Sequence, residues 1–553
     1  MGTIGKWALA VALCGLACAN GSGGGGGGGG IGGSDAGVPD SGGPDAGPPD
    51  SGPPDSGPPD AGPPDAGPDG GNPTGSVKFG TPGPWPIANV TYGFADGIQE
   101  SPVVGVSTDE PVSTADGGVT QNLWIATNSA LYLMKPGDQT LKRFDERDGL
   151  HLQGNAVEYC ADQFFTDGDK NCRFGAAGDP GIASIVGGSP NEVFVGYWST
   201  HDWSSPNDGT WFDLYRHSGK LDRVRLQPDG TLEVVRFDMV SGNSPAFWHD
   251  RTAYRMVYDH FIHKHELYVG TEHGVDKFSP DKYFPPNKDW PFVDNLYWMS
   301  DHLHPVTCKG QYCTGDEGKD TQMMGDWRGL AISADGDLWV GGKFSAGKIT
   351  YVPENAEMKA DGRPDPEGTT GWFQRGGNAY KFSLGFQFCG ASGKVSVWQA
   401  SGGWTPTSCS PQSGTPPVFW PPNPGDPVGI SAVTETRDGK SWWASGPFGS
   451  DPAYGIASFD GRRFTYFDPI RDAGMLEANV ADMLALPDGR LVLAAPTTGL
   501  TFWDPSKKTH VAMRAGQGIP DDHIVSLELD TMVSPPALHV ATRGGAAVLR
   551  VLP

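Results

Sequence analysis

The chain has 553 residues and a formal charge of −25 at pH 7, from 40 lysines and arginines against 65 aspartates and glutamates. Glycine (82) and proline (49) are abundant, and hydrophobic residues make up only 37% of the chain. This balance excludes a protein with many membrane spans. It also excludes a nucleic-acid partner, because such a binder needs a basic face to meet phosphate.

The first 18 residues have the pattern of an export signal. Lys6 is followed by an unbroken stretch of apolar and small residues, 7–17, which is about half of the roughly 20 residues that a membrane-spanning helix needs. The stretch ends at Cys18 and resembles the lipobox of bacterial lipoproteins, in which the cysteine is lipidated. Gly15 departs from the leucine of that pattern, and the alternative is an ordinary cleaved signal. We expect an exported protein held by a lipid anchor at the outer membrane or cell surface, with a periplasmic or secreted protein as the alternative.

Residues 19–77 are predicted to be a linker without a folded core. Gly23 to Gly30 is pure glycine, and from Pro48 the unit Pro-Pro-Asp-Ser/Ala-Gly occurs four times. Such a composition buries too little apolar surface to fold. Paired prolines and repeated like charges favour an extended chain, so the segment is predicted to be a spacer.

Six cysteines follow the signal: Cys160, Cys172, Cys308, Cys313, Cys389 and Cys409. An even number in an exported chain suggests disulfides, and pairing each cysteine with its neighbour in sequence is the simplest arrangement. Zinc is the competing interpretation, but no pair has the two-residue spacing of a zinc knuckle.

One strand pattern returns seven times in the rest of the chain. Each copy is a short β-branched or aromatic run with period-two alternation, which indicates a strand. The copies are at 123–127, 193–196, 267–271, 338–342, 441–445, 491–495 and 538–542. Asp-Gly pairs such as Asp335-Gly336 precede several copies and indicate hairpins. Residues 78–553 are therefore predicted to be an all-β, seven-bladed β-propeller of four-stranded blades with loop insertions.

The predicted ring closes through the start of the folded region. An aromatic strand residue followed by a Gly-hydrophobic step links successive units, as at 143–150 and 513–519, and the same motif stands at 92–98 before the first unit. The seventh unit reaches Pro553 after its third strand. We therefore expect residues 88–92 to supply the outer strand of the last blade, which leaves no open edge.

These repeats resemble the two-component regulator propeller repeats of bacterial sensor ectodomains. The resemblance covers about residue 88 to the end and is best in the first, third, sixth and seventh copies. It implies a propeller outside the cell. The sequence shows neither a spanning helix nor a kinase domain, so we expect a recognition platform, and fold alone implies no chemistry.

In a propeller, the loops that precede the innermost strands and those between the second and third strands share one face. Polar and aromatic residues in these loops are the candidates for ligand binding: His201, His249, Arg251, His273, His302, His304, Trp327, Arg328, Lys343, His523 and Arg543. For any one of them the alternative is an ordinary solvated loop residue. Trp198, Trp203, Trp211, Trp248 and Trp298 are candidates for stacking on sugar rings, with blade packing as the alternative.

No motif predicts a cofactor or a catalytic residue. Asp167, Asp169 and Asn171 have the alternating oxygen donors of a calcium loop, but Cys172 and Gly178 stand where that loop needs glycine and glutamate. His302 and His304 are a close pair that could take part in a metal site. The sequence thus favours a monomeric binding module for an extracellular glycan, peptide or envelope protein. The alternatives are a metal-assisted propeller lyase or hydrolase and a structural envelope scaffold.

Overall fold

The computed structural model describes part of the chain: residues 78–80, 91–150 except 116, 152, 181–198, 220–238, 252–271, 275–281, 299–303, 327–342, 346–349, 384–387, 394–399, 403–408, 429–446 and 455–552. All of them belong to the second of two compact units, Gly71–Pro553. The signal segment 1–18, the linker 19–77 and every cysteine named above lie outside the described residues. No helix within the described residues is long and apolar enough to cross a membrane.

The first three blades are antiparallel sheets in which sequence neighbours pair. Two short strands precede them, β1 (Lys78–Gly80) and β2 (Thr91–Tyr92). Blade 1 holds β3 (Val103–Thr108), β6 (Leu123–Thr127), β7 (Leu131–Met134) and β8 (Lys142–Phe144), with the hairpin β4 (Val112–Ser113) and β5 (Val119–Thr120) between its first two strands. Blade 2 holds β9 (Ile182–Gly187), β10 (Glu192–Tyr197), β11 (Lys220–Leu226) and β12 (Leu232–Asp238), and blade 3 holds β13 (Arg255–Asp259), β14 (Glu266–Gly270), β15 (Val275–Phe278) and β16 (Met299–Leu303).

Blade 4 is larger than predicted. Four strands, β17 (Gly329–Ile332), β18 (Leu338–Gly341), β19 (Ala346–Ile349) and β20 (Leu384–Gln387), are extended outward by a hairpin of β21 (Lys394–Gln399) and β22 (Gly403–Ser408). Blade 5 holds β23 (Ala432–Glu435), β24 (Ser441–Ser445), β25 (Gly455–Phe459) and β26 (Phe464–Phe467). Blade 6 holds β27 (Asp482–Ala485), β28 (Leu491–Ala495), β29 (Gly499–Asp504) and β30 (Thr509–Met513), and blade 7 begins with β31 (Ile524–Asp530), β32 (Ala537–Thr542) and β33 (Gly545–Leu552).

The ring closes through the start of the described chain. β2 pairs with β33, with Thr91 opposite Ala547 and Tyr92 opposite Ala546, and β1 continues along the same strand. The innermost strands contact one another in chain order from β3 to β31, and β31 contacts β3. The seven-bladed propeller is therefore confirmed, and the predicted outer strand is confirmed at residues 91–92 with β1 as a second piece.

Local sequence explains the connections between strands. The linking motif folds alike before and after blade 1. Short 3₁₀-helices, Phe94–Asp96 and Glu146–Asp148, each end on a left-handed glycine, and the next apolar residue is buried. The Asp-Gly pairs lie in tight turns between the first and second strands of blades 4 to 6, where the glycine has positive φ. The hydrophobic core lies between adjacent blades, as in the cluster of Tyr92, Val103, Ile125 and Val548 between blades 7 and 1.

Candidate functional site

The loops that precede the innermost strands meet the loops that follow the second strands. In blades 2 to 5, a backbone N–H of the first loop donates to a carbonyl at the end of the previous blade's second strand. These bonds join Ile182 to Asn128 (2.7 Å), Ala253 to Tyr197 (3.1 Å), Trp327 to Thr271 (2.9 Å) and Ile430 to Gly342 (2.9 Å). The expected shared face is therefore present. We call it the front face, and the opposite one, where Asp-Gly turns lie, the rear face.

A central channel runs along the innermost strands and encloses a cavity of about 790 Å³. All seven innermost strands, β3, β9, β13, β17, β23, β27 and β31, contribute to its wall. We define its front mouth by Trp198, Tyr254, Arg328, Pro496 and Val525. Tyr254, Arg328 and Val525 lie at the front ends of the innermost strands β13, β17 and β31, whereas Trp198 and Pro496 directly follow the second strands β10 and β28. A cavity of this volume is large enough for a small ligand or for the end of a larger one.

A salt bridge crosses the channel behind the front mouth. Arg255 begins β13 in blade 3, and its Nη1 lies 2.6 Å from Oδ2 of Asp482, which begins β27 in blade 6. Its Nη2 donates to the carbonyl of Leu527 in blade 7 at 3.1 Å. Blades 6 and 7 lie opposite blade 3 in a ring of seven, so the Arg255 side chain spans the channel. The bridge forms a polar floor beneath the front mouth.

Aromatic rings and a guanidinium group cluster at the front mouth. The rings of Trp198 and Tyr254 meet edge to face with their centroids 5.9 Å apart. The Arg328 guanidinium lies over the Tyr254 ring, 4.9 Å from its centroid, which is the geometry of a cation–π contact. The Trp198 side chain is 43% exposed, and Val525 nearby in the mouth is 38% exposed. The front mouth thus presents apolar rings beside positive charge.

Backbone contacts hold this cluster in place. The Tyr254 N–H donates to the Gly270 carbonyl at 2.9 Å, and the Trp198 N–H donates to the Gly181 carbonyl at 3.0 Å. Gly270 lets the segment that carries Arg328 approach, because a Cβ there would lie 2.0 Å from the Trp327 carbonyl oxygen. The front mouth is therefore built on strand ends, which fix side chains more firmly than long loops do.

Glu528 lies deeper in the channel wall, on β31. Its Oε1 accepts a hydrogen bond of 2.6 Å from the Ser107 hydroxyl, and its side chain keeps 30% exposure. Burial raises the pKa of Glu528 to about 8, the Ser107 bond and the charge of Arg255 oppose that rise, and Asp530 adds to it. Burial therefore favours the neutral form of the Glu528 carboxyl group.

The rear mouth has a different character. The Asp259 carboxylate accepts the backbone N–H groups of Phe261, Ile262 and His263 at 2.8–2.9 Å and fixes the turn that follows β13. The Phe261 side chain is 60% exposed there. The hydrogen bond from His260 holds the pKa of the Glu110 carboxyl below its usual range. His260 and His263 therefore lie in the turn between β13 and β14 of blade 3, and Phe261 is an exposed aromatic residue at this end of the channel.

The structure describes some of the predicted binding residues. Arg328 lies at the front mouth. His523 and Arg543 lie together on the front face of blade 7, where the Arg543 N–H donates to the His523 carbonyl at 3.0 Å and the His523 ring lies 2.8 Å from Asp521. They are outside the set of residues that line the channel. His302 is placed only as a backbone position in β16. The remaining candidates lie outside the described residues: His201, His249, Arg251, His273, His304, Lys343, Asp167, Asp169 and Asn171.

Trp327 requires a correction. The sequence places it on the ligand-binding face, but its side chain is fully buried and packs with Tyr268, Leu330 and Val340 between blades 3 and 4. Only the backbone of Trp327 belongs to the front face. The indole is therefore a core group.

Sequence reasoning missed the residues that shape the channel: Tyr254, Arg255, Asp482, Val525 and Glu528. A signal was present, since the innermost strands β13 and β31 carry charged residues. Within the described residues, no group of three or more His, Cys, Asp or Glu is arranged to hold a metal ion. The predicted calcium loop and histidine pair stay predictions.

No protein-family model matches the chain, and no curated protein matches it. Similar solved structures include YCF48 bound to D1 peptide, with 11% identity, 86% of this chain and all of that chain covered, and a TM-score of 0.38. Streptogramin B lyase has 8% identity, a TM-score of 0.37, and coverage of 82% of this chain and 95% of its own. An extracellular domain of a one-component system from B. thetaiotaomicron has 12% identity, covers 80% of this chain and 52% of its own, and has a TM-score of 0.24. Likenesses at this level say nothing about ligands.

Proposed function

We propose that this chain is an exported binding module that receives an extracellular ligand at the front mouth of its propeller. The observation that carries the proposal is the cluster of Trp198, Tyr254 and Arg328 at the opening of the channel cavity. Exposed aromatic rings beside a guanidinium group are the side chains that dominate recognition surfaces. The salt bridge of Arg255 and Asp482 gives the mouth a floor, so a ligand is held at the front rather than passed through.

The module is proposed to stand away from a membrane on its N-terminal segment. The apolar stretch 7–17 supports export, and Cys18 supports a lipid anchor. Labelling of producing bacteria with a palmitate analogue tests this. The wild-type protein should carry the label and fractionate with membranes, whereas Cys18→Ser should lose both properties. Equal labelling of the two proteins would rule out Cys18 as the anchor.

A binding screen with paired variants tests the front mouth. The purified protein is screened against glycans and peptides, and each hit is measured again with Trp198→Ala and with Phe261→Ala. The second variant removes an exposed aromatic residue of the same channel at the rear mouth and is the matched control. We expect Trp198→Ala to weaken binding at least tenfold and Phe261→Ala to leave it unchanged. The reverse pattern, or equal loss in both, would place the site elsewhere.

A further inference from the structure

We propose that the ligand of the front mouth is a small uncharged molecule with a flat apolar ring system, which stacks on Trp198 and lies against Val525. The inference rests on the proposed function and names its ligand class. It follows from three features of the described residues in the front part of the channel, between the mouth and the Arg255–Asp482 bridge. The charged groups there are engaged within the protein, the hydrogen-bond donors are used, and the exposed side chains are apolar.

The first feature is the engagement of the charged groups. The Asp482 carboxylate accepts the Leu527 N–H at 2.8 Å and Arg255 at 2.6 Å. Arg255 also donates to the Leu527 carbonyl, so both members of the bridge are satisfied. Arg328 lies over the Tyr254 ring and is likewise engaged within the protein. A charged ligand group would therefore give up its hydration without gaining a free counter-charge among these residues, which costs free energy.

The second feature is the use already made of the hydrogen-bond donors. The Ser184 hydroxyl donates to the Ala253 carbonyl at 2.6 Å, and the Ser526 hydroxyl donates to the Val104 carbonyl at 2.9 Å. The Ser431 hydroxyl lies 3.0 Å from one carbonyl oxygen and 3.2 Å from another. The bonds between blades on the front face use backbone N–H groups in the same way. A sugar or a peptide main chain brings many polar groups that need partners, and these donors are not available to them.

The third feature is the apolar surface that stays exposed at the mouth. Trp198 and Val525 are both exposed, and both line the same cavity. The rings of Trp198 and Tyr254 stand nearly perpendicular, with an angle of 83° between their planes. A flat ring can therefore stack on one of them and contact the edge of the other. Burial of this surface supplies the free energy of binding.

The Arg255–Asp482 bridge limits the depth of the site. It crosses the channel, so a ligand cannot pass from the front mouth to the rear mouth while the bridge is intact. The cavity of about 790 Å³ includes the space beyond the bridge. The front part therefore has room for a small ring system, and not for a polymer that runs through the channel.

Fluorescence titration with a matched pair of probes tests the ligand class. N-phenyl-1-naphthylamine is uncharged, and its emission rises in apolar surroundings. The second probe, 1-anilinonaphthalene-8-sulfonate, has the same rings with one negative charge at the centre of the molecule, so the charge is brought to the mouth whichever ring enters. We expect the uncharged probe to bind at least tenfold tighter than the sulfonate. We also expect its affinity to be the same at low and high salt, because the contact is not ionic.

Variants assign the contacts. We expect Trp198→Ala to weaken the uncharged probe at least tenfold, Trp198→Phe to recover part of the loss, and Phe261→Ala to change nothing. Thermal unfolding of each variant shows that it is folded. Equal or tighter binding of the sulfonate, no binding of the uncharged probe, or dependence of that probe on Phe261 in place of Trp198 overturns the inference.

A neutral hexasaccharide, cellohexaose, separates this inference from the proposed function. If cellohexaose binds more tightly than the uncharged probe with the same dependence on Trp198, the ligand class is wrong while the proposed front-mouth function stands. If cellohexaose and both probes all depend on Phe261 and none on Trp198, the proposed function fails as well.

Discussion

Replacement of Tyr92 by alanine should release β2 and weaken the closure of the ring. Tyr92 belongs to the two-residue strand β2 and is fully buried between blades 7 and 1, with Ile98, Val103 and Ala541 in the same cluster. Truncation of a buried aromatic side chain costs about 3–5 kcal/mol. Because β2 has only two residues in register with β33 to hold it, we expect the full loss and release of the strand.

Two variants in the same short segment provide the comparison. The Tyr92 hydroxyl has no hydrogen-bond partner within the described residues, and burial raises its pKa to about 12, with Asp96 adding to the rise. Tyr92→Phe should therefore be neutral or should stabilise by about 1 kcal/mol, since it removes a buried polar group that lacks a partner. Phe94 is 63% exposed, and Phe94→Ala should change the free energy of unfolding by less than about 0.5 kcal/mol.

Equilibrium urea unfolding followed by tryptophan fluorescence measures these differences on the mature chain. Limited proteolysis adds a local readout, because a released β2 should be cleaved before the rest of the propeller. If Tyr92→Ala unfolds within about 1 kcal/mol of Phe94→Ala, burial of Tyr92 does not hold the ring closed, and the reasoning is refuted.

Three further changes test other parts of the structure by the same unfolding measurement. The pKa of Glu528 is about 8 in the folded protein and 4.5 for an ordinary glutamate. Between these pH values the folded state binds more protons than the unfolded state, so the free energy of unfolding falls as pH rises from 5 to 8. Glu528→Gln should remove that slope, at most about 1.4 kcal/mol per pH unit, and an unchanged slope would contradict the raised pKa. Asp109→Asn should lower the free energy of unfolding by about 1–3 kcal/mol. The two carboxylate oxygens of Asp109 accept N–H groups of Asn122 and Asn191 at 2.6–3.0 Å, and the NH₂ group of an asparagine would face one of these donors. An unchanged free energy of unfolding would contradict this expectation. Gly270→Ala should cost about 1–3 kcal/mol and weaken ligand binding, since its Cβ would collide with the Trp327 carbonyl, and wild-type behaviour in both assays would argue against that close approach.

The blades could be predicted from the sequence because their signals are local. Alternation within a strand and an Asp-Gly turn each involve a few neighbouring residues, and the structure places the predicted second strands and turns as expected. The closure through Tyr92 could be predicted for another reason. The linking motif also occurs before the first unit, and the last unit lacks its fourth strand. The added hairpin β21–β22 of blade 4 has no counterpart in the repeat, and so repetition could not reveal it.

The candidate site was less accessible to sequence reasoning. Arg255 and Asp482 are 227 residues apart, and no local pattern links one residue of blade 3 to one of blade 6. Trp327 and Arg328 are adjacent in one loop, yet the first packs into the core and the second lies at the front mouth. Side-chain direction at a strand end depends on packing between blades, which the order of residues alone does not specify.

Hydrogen–deuterium exchange with a bound ligand tests the central claim most directly. The protein is compared with and without the tightest binder from the glycan and peptide screen, and backbone protection is read along the chain. The account predicts slower exchange at residues 252–256 and 327–330, at the front mouth, and unchanged exchange at 260–265. Protection confined to 260–265, at the rear mouth, would contradict it.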